Sequence, residues 1–142
     1  MINLKFTFYC TLSLLLFFIG CGEPLHKVTG TVKYDDGSPV TLGNVSFDSD
    51  KFSFSSTIDA NGYFSSPGQK SKGIPEGTYR VYLTGTTKVP NIPDARGTFT
   101  QGTPEPTVAE KYCSAATASL TFEAKPGGTK TFDIVVERPK KR

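Results

Sequence analysis

Apolar and polar residues alternate along most of the chain after residue 27, and this pattern predicts β-strands. Residues 28–34 place valine, glycine and tyrosine at every second position, with threonine and lysine between them. A period of two residues gives one buried face and one solvated face. Residues 74–85 show the alternation most clearly, with Tyr79, Val81 and Leu83 on one face. We predict the central strand there.

Shorter stretches with the same period predict the remaining strands. Their apolar positions are Val45 and Phe47, then Phe52, Phe54 and Ile58, then Tyr63 and Phe64, then Leu120 and Phe122, and finally Phe132, Ile134 and Val136. Turn-forming sequences separate them, at residues 35–39 (DDGSP), 59–62 (DANG) and 125–128 (KPGG). Gly62 suits the positive φ angle of a hairpin turn. No segment has a helical period, and residues 106–116 have room for one or two helical turns only.

Residues 86–108 interrupt the alternation and are rich in proline. Connections of this length are uncommon in compact domains and are usually functional or disordered. We weigh two interpretations equally: a ligand-binding loop, or a loop that is disordered or merely packed on the domain. The polar side chains available for binding are Lys88, Asn91, Asp94 and Arg96.

The chain begins with an apolar segment that ends at a cysteine. Residues 6–19 are mostly apolar, which is shorter than the about 20 residues of a membrane-spanning helix and fits a secretory signal peptide. The sequence of residues 18–21, FIGC, resembles the lipobox of bacterial lipoproteins, in which the cysteine is acylated and the preceding peptide is removed. We predict lipid attachment at Cys21. An uncleaved signal anchor and a plain secretory signal are the alternatives.

Cysteine usage after the signal argues against an internal disulfide. Cys10 leaves with the signal and Cys21 carries lipid, so Cys113 is the remaining cysteine. A small buried residue is the favoured interpretation of Cys113; a free reactive thiol or an intermolecular bridge is the alternative.

The charge of the chain does not by itself indicate a class of binding partner. The full chain has a formal net charge of +3, and its basic cluster, residues 138–142 (RPKKR), is predicted to be a solvated tail, with contact to an anionic surface as the alternative. No base-stacking motif accompanies it, so we predict no nucleic-acid partner.

These patterns predict an all-β fold, a seven-stranded antiparallel β-sandwich of the prealbumin or immunoglobulin-like kind. The predicted organisation is a signal peptide at residues 1–20, an anchor and tether at 21–27, the sandwich at 28–137 and the basic tail at 138–142. About 120 residues after the signal suffice for one core.

Three motifs resemble those of carboxypeptidase regulatory-like, or transthyretin-like, domains. Residues 28–47 combine G-x-V, a D-G-x-P turn and a G-x-V-x-F strand; residues 59–64 (DANGYF) and 73–83 (GIPEGTYRVYL) match the next two elements. The end of the chain is similar to small lipoproteins of planctomycete-like bacteria. The resemblance implies a seven-stranded prealbumin-like sandwich, and most such proteins have no known activity.

Catalytic signatures are missing from the sequence. The transthyretin-like hydrolase of hydroxyisourate uses histidines, an arginine and a terminal Y-R-G-S, whereas this chain has one histidine, His26, and ends in Lys-Lys-Arg. One histidine and one spare cysteine do not make a zinc site, and H-E-x-x-H and G-x-S-x-G are absent. We predict that the protein is not an enzyme and needs no cofactor.

Aspartates in the predicted turns suggest a cation site at one end of the sandwich. Asp35, Asp36 and Asp59 are the candidate ligands for calcium, with Asp48 and Asp50 in further turns. Solvated turn carboxylates are the favoured interpretation.

Together these features predict an exported, non-catalytic module, held by acyl chains on Cys21 at the outer membrane, the cell surface or the periplasmic face. Its predicted role is structural or adhesive, with envelope proteins or glycans bound through loops and sheet edges. The alternative is an accessory subunit that binds a small ligand, a glycan or calcium near the long loop.

Overall fold

The computed structural model describes residues 25–66, 73–127 and 130–140. The predicted signal peptide and Cys21 lie outside these ranges. The strands are β1 Val28–Tyr34, β2 Asn44–Asp48, β3 Ser53–Thr57, β4 Tyr63–Ser65, β5 Gly77–Thr84, β6 Thr87–Lys88, β7 Asn91–Pro93, β8 Phe99–Gln101, β9 Glu105–Pro106, β10 Leu120–Ala124, β11 Lys130–Thr131 and β12 Ile134–Val136. A turn of 3₁₀ helix, Glu110–Tyr112, precedes β10. No helix in the described ranges is long and apolar enough to cross a membrane.

The first sheet is built around β1. Strand β4 pairs with one edge of β1 in antiparallel orientation, and β11 and β12 pair with it in parallel orientation. Val28 lies opposite Lys130 and Val32 opposite Ile134, so β11 and β12 keep one register and act as a single interrupted strand. In the gap, the Asp133 carboxylate accepts hydrogen bonds from the backbone N–H and the hydroxyl of Thr31, at 2.9 and 2.8 Å. These bonds lower the pKa of Asp133.

The second sheet is antiparallel throughout, in the order β10-β5-β2-β3. As predicted, β5 is central: it pairs with β10 along one edge and with β2 along the other. Tyr79, Val81 and Leu83 of β5 point into the core and are at most 1% exposed. The alternation of β5 therefore fixes which face of this sheet is covered.

The two sheets enclose a core that is held together by aromatic rings. The ring of Phe47 in the second sheet stacks on that of Phe54 in the same sheet, with 4.6 Å between the ring centres. The centre of the Phe64 ring, in the first sheet, lies 5.9 Å from that of Phe47. The Phe47 ring also contacts Phe122 and Phe132, at 5.8 and 6.2 Å. Since Phe64 and Phe132 belong to the first sheet, Phe47 joins the two layers.

The all-β sandwich predicted from the sequence is confirmed. With β11 and β12 counted as one strand, the two sheets contain seven strands. The orientation differs at one place, because β1 and β12 are parallel. Strand β10 returns the chain to the end at which β1 begins, so the last strand runs in the same direction as the first.

The sandwich has two distinct ends. His26, just before β1, exchanges backbone hydrogen bonds of 2.8 Å with Ile74, just before β5, so both strands start together at what we call the proximal end. They finish together at the distal end, where the Tyr34 hydroxyl donates a 3.0 Å hydrogen bond to the Thr107 carbonyl and the Thr107 N–H donates to the Thr86 carbonyl. At about 3.3 Å per residue, β1 separates the two ends by roughly 20 Å.

Candidate functional site

Residues 86–108 form a β-ribbon at the distal end rather than an irregular loop. Strand β6 pairs with β9, and β7 pairs with β8 further from the sandwich. A 2.7 Å hydrogen bond from the Gly102 N–H to the Pro90 carbonyl connects the two pairs. We call residues 87–106 the ribbon. Its β7–β8 part pairs with no other strand among the described residues.

The tip of the ribbon repeats a turn that is found elsewhere in the chain. Asp94 accepts hydrogen bonds of 2.8 Å from the backbone N–H groups of Arg96 and Thr98, and Gly97 has a φ angle of +78°. The turn at residues 59–62 has the same bonds from Asp59, and Gly62 has the same φ angle. The sequences D-A-N-G and D-A-R-G therefore encode one turn twice.

The ribbon exposes apolar side chains on both of its faces. Phe99 is 68% exposed and Ile92 is 52% exposed. Because Pro93 lies opposite Phe99 and Thr100 opposite Ile92, Phe99 and Ile92 point to opposite faces. Val89, 43% exposed, adds a third apolar side chain. Three of the seven exposed large apolar side chains among the described residues therefore lie in the ribbon.

A groove of about 940 Å³ lies beside the base of the ribbon. Buried Leu83 and Val108 contribute to its lining, together with Pro106 and Pro139. Its rim carries Glu110, Lys111, Glu137, Arg138 and Lys140. The groove thus combines apolar surface with charges of both signs.

Several polar groups of the groove already have partners within the protein. The half-buried Cys113 Sγ lies 3.5 Å from the Thr86 hydroxyl and 3.7 Å from the Ala109 carbonyl. Lys111 forms an ion pair with Glu137, which raises the pKa of Lys111 and lowers that of Glu137. Because these side chains are bonded to groups of the protein, they do not form a set of free polar groups around a ligand site.

Arg138, the first residue of the predicted tail, is held against the sandwich. Its guanidinium lies 3.8 Å from the centre of the Tyr34 ring and donates hydrogen bonds to Asp36 and Ser38 at 3.1 and 2.8 Å. Hydrogen bonds from the Ser38 hydroxyl and backbone N–H, with a further contribution from Arg138, lower the pKa of Asp36 from 3.8 to about 2. Arg138 therefore fixes the chain segment that borders the groove.

The structure does not bring the candidate calcium ligands together. Asp36 is bound to Ser38 and Arg138, and Asp59 to its own turn. Among the described residues, no group of three or more histidine, cysteine, aspartate or glutamate side chains is arranged to hold a metal ion, so Asp35 joins no such group either.

The sequence analysis singled out residues 86–108 and their polar side chains, and the structure shows where these side chains lie. Of the polar candidates, Lys88 lies opposite Glu105 at the ribbon base, Asn91 opposite Gln101, and Asp94 holds the turn. The apolar Ile92 and Phe99 were missed. The signal that identifies them is the D-A-R-G turn, because a turn flanked by apolar residues predicts a hairpin.

Comparisons with known proteins find solved structures that are similar to this chain at 14–18% sequence identity. No protein-family model and no curated protein matches the sequence. One similar solved structure is a DUF3823 family protein from Bacteroides ovatus, with 18% identity and a TM-score of 0.45; the match covers 81% of this chain and 45% of that one. Another is a DUF3823 family protein from Parabacteroides merdae, with 16% identity and a TM-score of 0.47; the match covers 82% of this chain and 48% of that one. The major pilin subunit BcpA of Bacillus cereus is also similar, with 14% identity and a TM-score of 0.43; the match covers 80% of this chain and 30% of that one. The chain spans less than half the length of each.

Proposed function

We propose that this protein is a lipid-anchored, exported, non-catalytic module of the cell envelope that contacts other envelope components through its distal ribbon. The domain would be of the carboxypeptidase regulatory-like, transthyretin-like kind. Acyl chains on Cys21 hold it to a membrane, at the outer membrane, the cell surface or the periplasmic face. The observation that carries the proposal is the ribbon, which exposes Ile92 and Phe99 on opposite faces.

The position of the ribbon supports this role. Cys21 lies five residues before His26, whose backbone is bonded to Ile74 at the proximal end. At about 3.5 Å per residue, this tether reaches less than about 18 Å, so acylated Cys21 keeps the proximal end close to the membrane. The ribbon leaves the opposite end, roughly 20 Å further away. It is therefore placed to meet molecules beyond the bilayer that holds the anchor.

The groove favours contact with a macromolecule over capture of a small polar ligand. A volume of about 940 Å³ falls within the range of small-molecule sites. However, Lys111 is paired with Glu137, and the Cys113 thiol with Thr86 and Ala109. Such a ligand needs several convergent groups that are free to bind it. The accessory-subunit alternative therefore rests on the groove's volume and on Glu110 and Lys140, which lie on the rim and form no ion pair among the described residues.

Site-specific photocrosslinking in intact cells tests the proposal. A photoreactive amino acid replaces Phe99 on the ribbon in one variant and Lys125 at the proximal end in the matched control. We expect discrete crosslinked protein or glycan species from position 99 and none of them from position 125. Position 99 yielding only uncrosslinked protein or lipid adducts would contradict the proposed role of the ribbon.

A further inference from the structure

We propose that Asn61 is a latent deamidation site, which the turn at residues 59–62 protects from reaction while the domain is folded. Asparagine followed by glycine is prone to this reaction, because glycine has no Cβ atom to hinder attack by its own backbone nitrogen. Asn61 and Gly62 are the only asparagine–glycine pair in the chain. The inference concerns the sandwich itself and does not depend on the proposed function.

Deamidation of such a pair needs no enzyme or cofactor. The Gly62 backbone nitrogen gives up its proton and attacks the carbonyl carbon of the Asn61 side chain. The new C–N bond closes a cyclic succinimide, while the bond to the side-chain nitrogen breaks and ammonia leaves. Water then opens the ring at either carbonyl, which leaves aspartate or isoaspartate at position 61. Solvent supplies the water and takes up the ammonia.

The side chain of Asn61 is available for this reaction. Asn61 is exposed, and its side chain makes no hydrogen bond among the described residues. The aspartate–glycine pair at residues 36–37 differs, because Ser38 and Arg138 bind the Asp36 carboxylate. With a pKa of about 2, this carboxylate is ionised at neutral pH, and its negative charge makes it a poor target for a nucleophile. Asn61 is therefore the stronger candidate of the two.

The attacking nitrogen, by contrast, is held in place. The Gly62 N–H donates a 3.0 Å hydrogen bond to the Asp59 carbonyl, and the Gly62 carbonyl accepts one of 2.7 Å from the N–H of Val32. The Asp59 carboxylate accepts two more, of 2.8 Å each, from the N–H groups of Asn61 and Tyr63. A Cβ atom at Gly62 would lie 2.6 Å from the Val32 carbonyl oxygen, so little space surrounds this residue. The Gly62 nitrogen is thus free to attack only when the turn opens.

Either product would weaken the turn that protects the pair. Isoaspartate adds a methylene group to the backbone, which displaces Gly62 from its hydrogen bond with Val32. Aspartate places a second carboxylate close to that of Asp59, and like charges repel each other. Opening of the turn and deamidation therefore reinforce each other, and the folded turn limits a covalent change that folding does not reverse.

Peptide mass spectrometry of the full-length chain, incubated at neutral pH and sampled over time, tests the proposal. Deamidation at Asn61 is expected to be at least about tenfold slower in the folded protein than in the same chain unfolded in guanidinium chloride, because reaction requires local opening. Asp59→Ala removes two hydrogen bonds of the turn and is expected to raise the rate in the folded protein by about fivefold or more. Equal rates in the folded and unfolded wild type would overturn the proposal.

The matched control is Asp94→Ala, which removes the same two hydrogen bonds from the equivalent turn of the ribbon. The rate at Asn61 is expected to stay at the wild-type value in this variant. Circular dichroism checks that the variants fold; if Asp59→Ala does not, Asp59→Ser replaces it, with an expected rate between those of the folded and unfolded wild type. A wild-type rate in the folded Asp59 variant, or equal acceleration by Asp94→Ala, would also overturn the proposal.

Discussion

Replacing Phe47 with alanine is expected to lower the free energy of unfolding by about 3–5 kcal/mol, which approaches the whole stability of a small domain. Phe47 is fully buried, and its ring contacts Phe54, Phe64, Phe122 and Phe132. The change removes apolar contacts between both sheets and leaves a cavity that close-packed neighbours cannot fill. Chemical denaturation of the Phe47→Ala variant, followed by circular dichroism, measures the loss.

The matched control is Phe99→Ala, which is the same chemical change on the ribbon. Because Phe99 is 68% exposed, its removal is expected to change stability by about 0.5 kcal/mol or less. The same variant is expected to lose contact with partners. Equal destabilisation by the two substitutions would show that Phe47 does not join the sheets as described.

Gly30→Ala is expected to prevent normal folding or to lower the free energy of unfolding by about 3 kcal/mol or more, which is at or above the upper end of the usual range for overpacking. A Cβ atom at Gly30 would lie 1.9 Å from the backbone oxygen of Phe132 and 2.9 Å from the Phe64 ring. The nearest obstacle is backbone, so the pairing of β1 with the last strand must shift to admit a methyl group. Yield of soluble protein and thermal unfolding report the effect.

Gly37→Ala provides the comparison for this prediction. Gly37 has a φ angle of +83°, and a Cβ atom added there would have no neighbouring atom within 4 Å, so alanine meets backbone strain without a clash. Its expected cost is about 1–2 kcal/mol. If Gly30→Ala lowered the free energy of unfolding no more than Gly37→Ala does, this would contradict the close approach of Phe132 to β1.

The strands of the sandwich were predictable because their burial is one-sided. In β1 and β5 the period-two pattern specifies register and buried face together, and the observed burial follows it. The D-A-N-G turn was predictable for a different reason, since Asp59 and Gly62 form its hydrogen bonds and φ angle locally.

The ribbon was not predictable from alternation, because neither of its faces is buried. All residues of β7 and β8 are exposed, so no hydrophobic period marks them. The role of Arg138 was missed for a related reason. Its partners Asp36 and Tyr34 are about 100 residues away in sequence, and a basic run next to the chain end looks the same whether or not its first residue is bound.

Lipid attachment at Cys21 is the claim on which the proposed orientation of the domain at the membrane depends. Mass spectrometry of the protein purified from membranes, with fractionation of Cys21→Ala and of Cys113→Ala as the matched control, tests it most directly. We predict an amino-terminal peptide that begins at an acylated Cys21, loss of Cys21→Ala from the membrane fraction, and retention of Cys113→Ala. An unmodified Cys21, with wild type and Cys21→Ala fractionating alike, would contradict the lipid anchor and the orientation that follows from it.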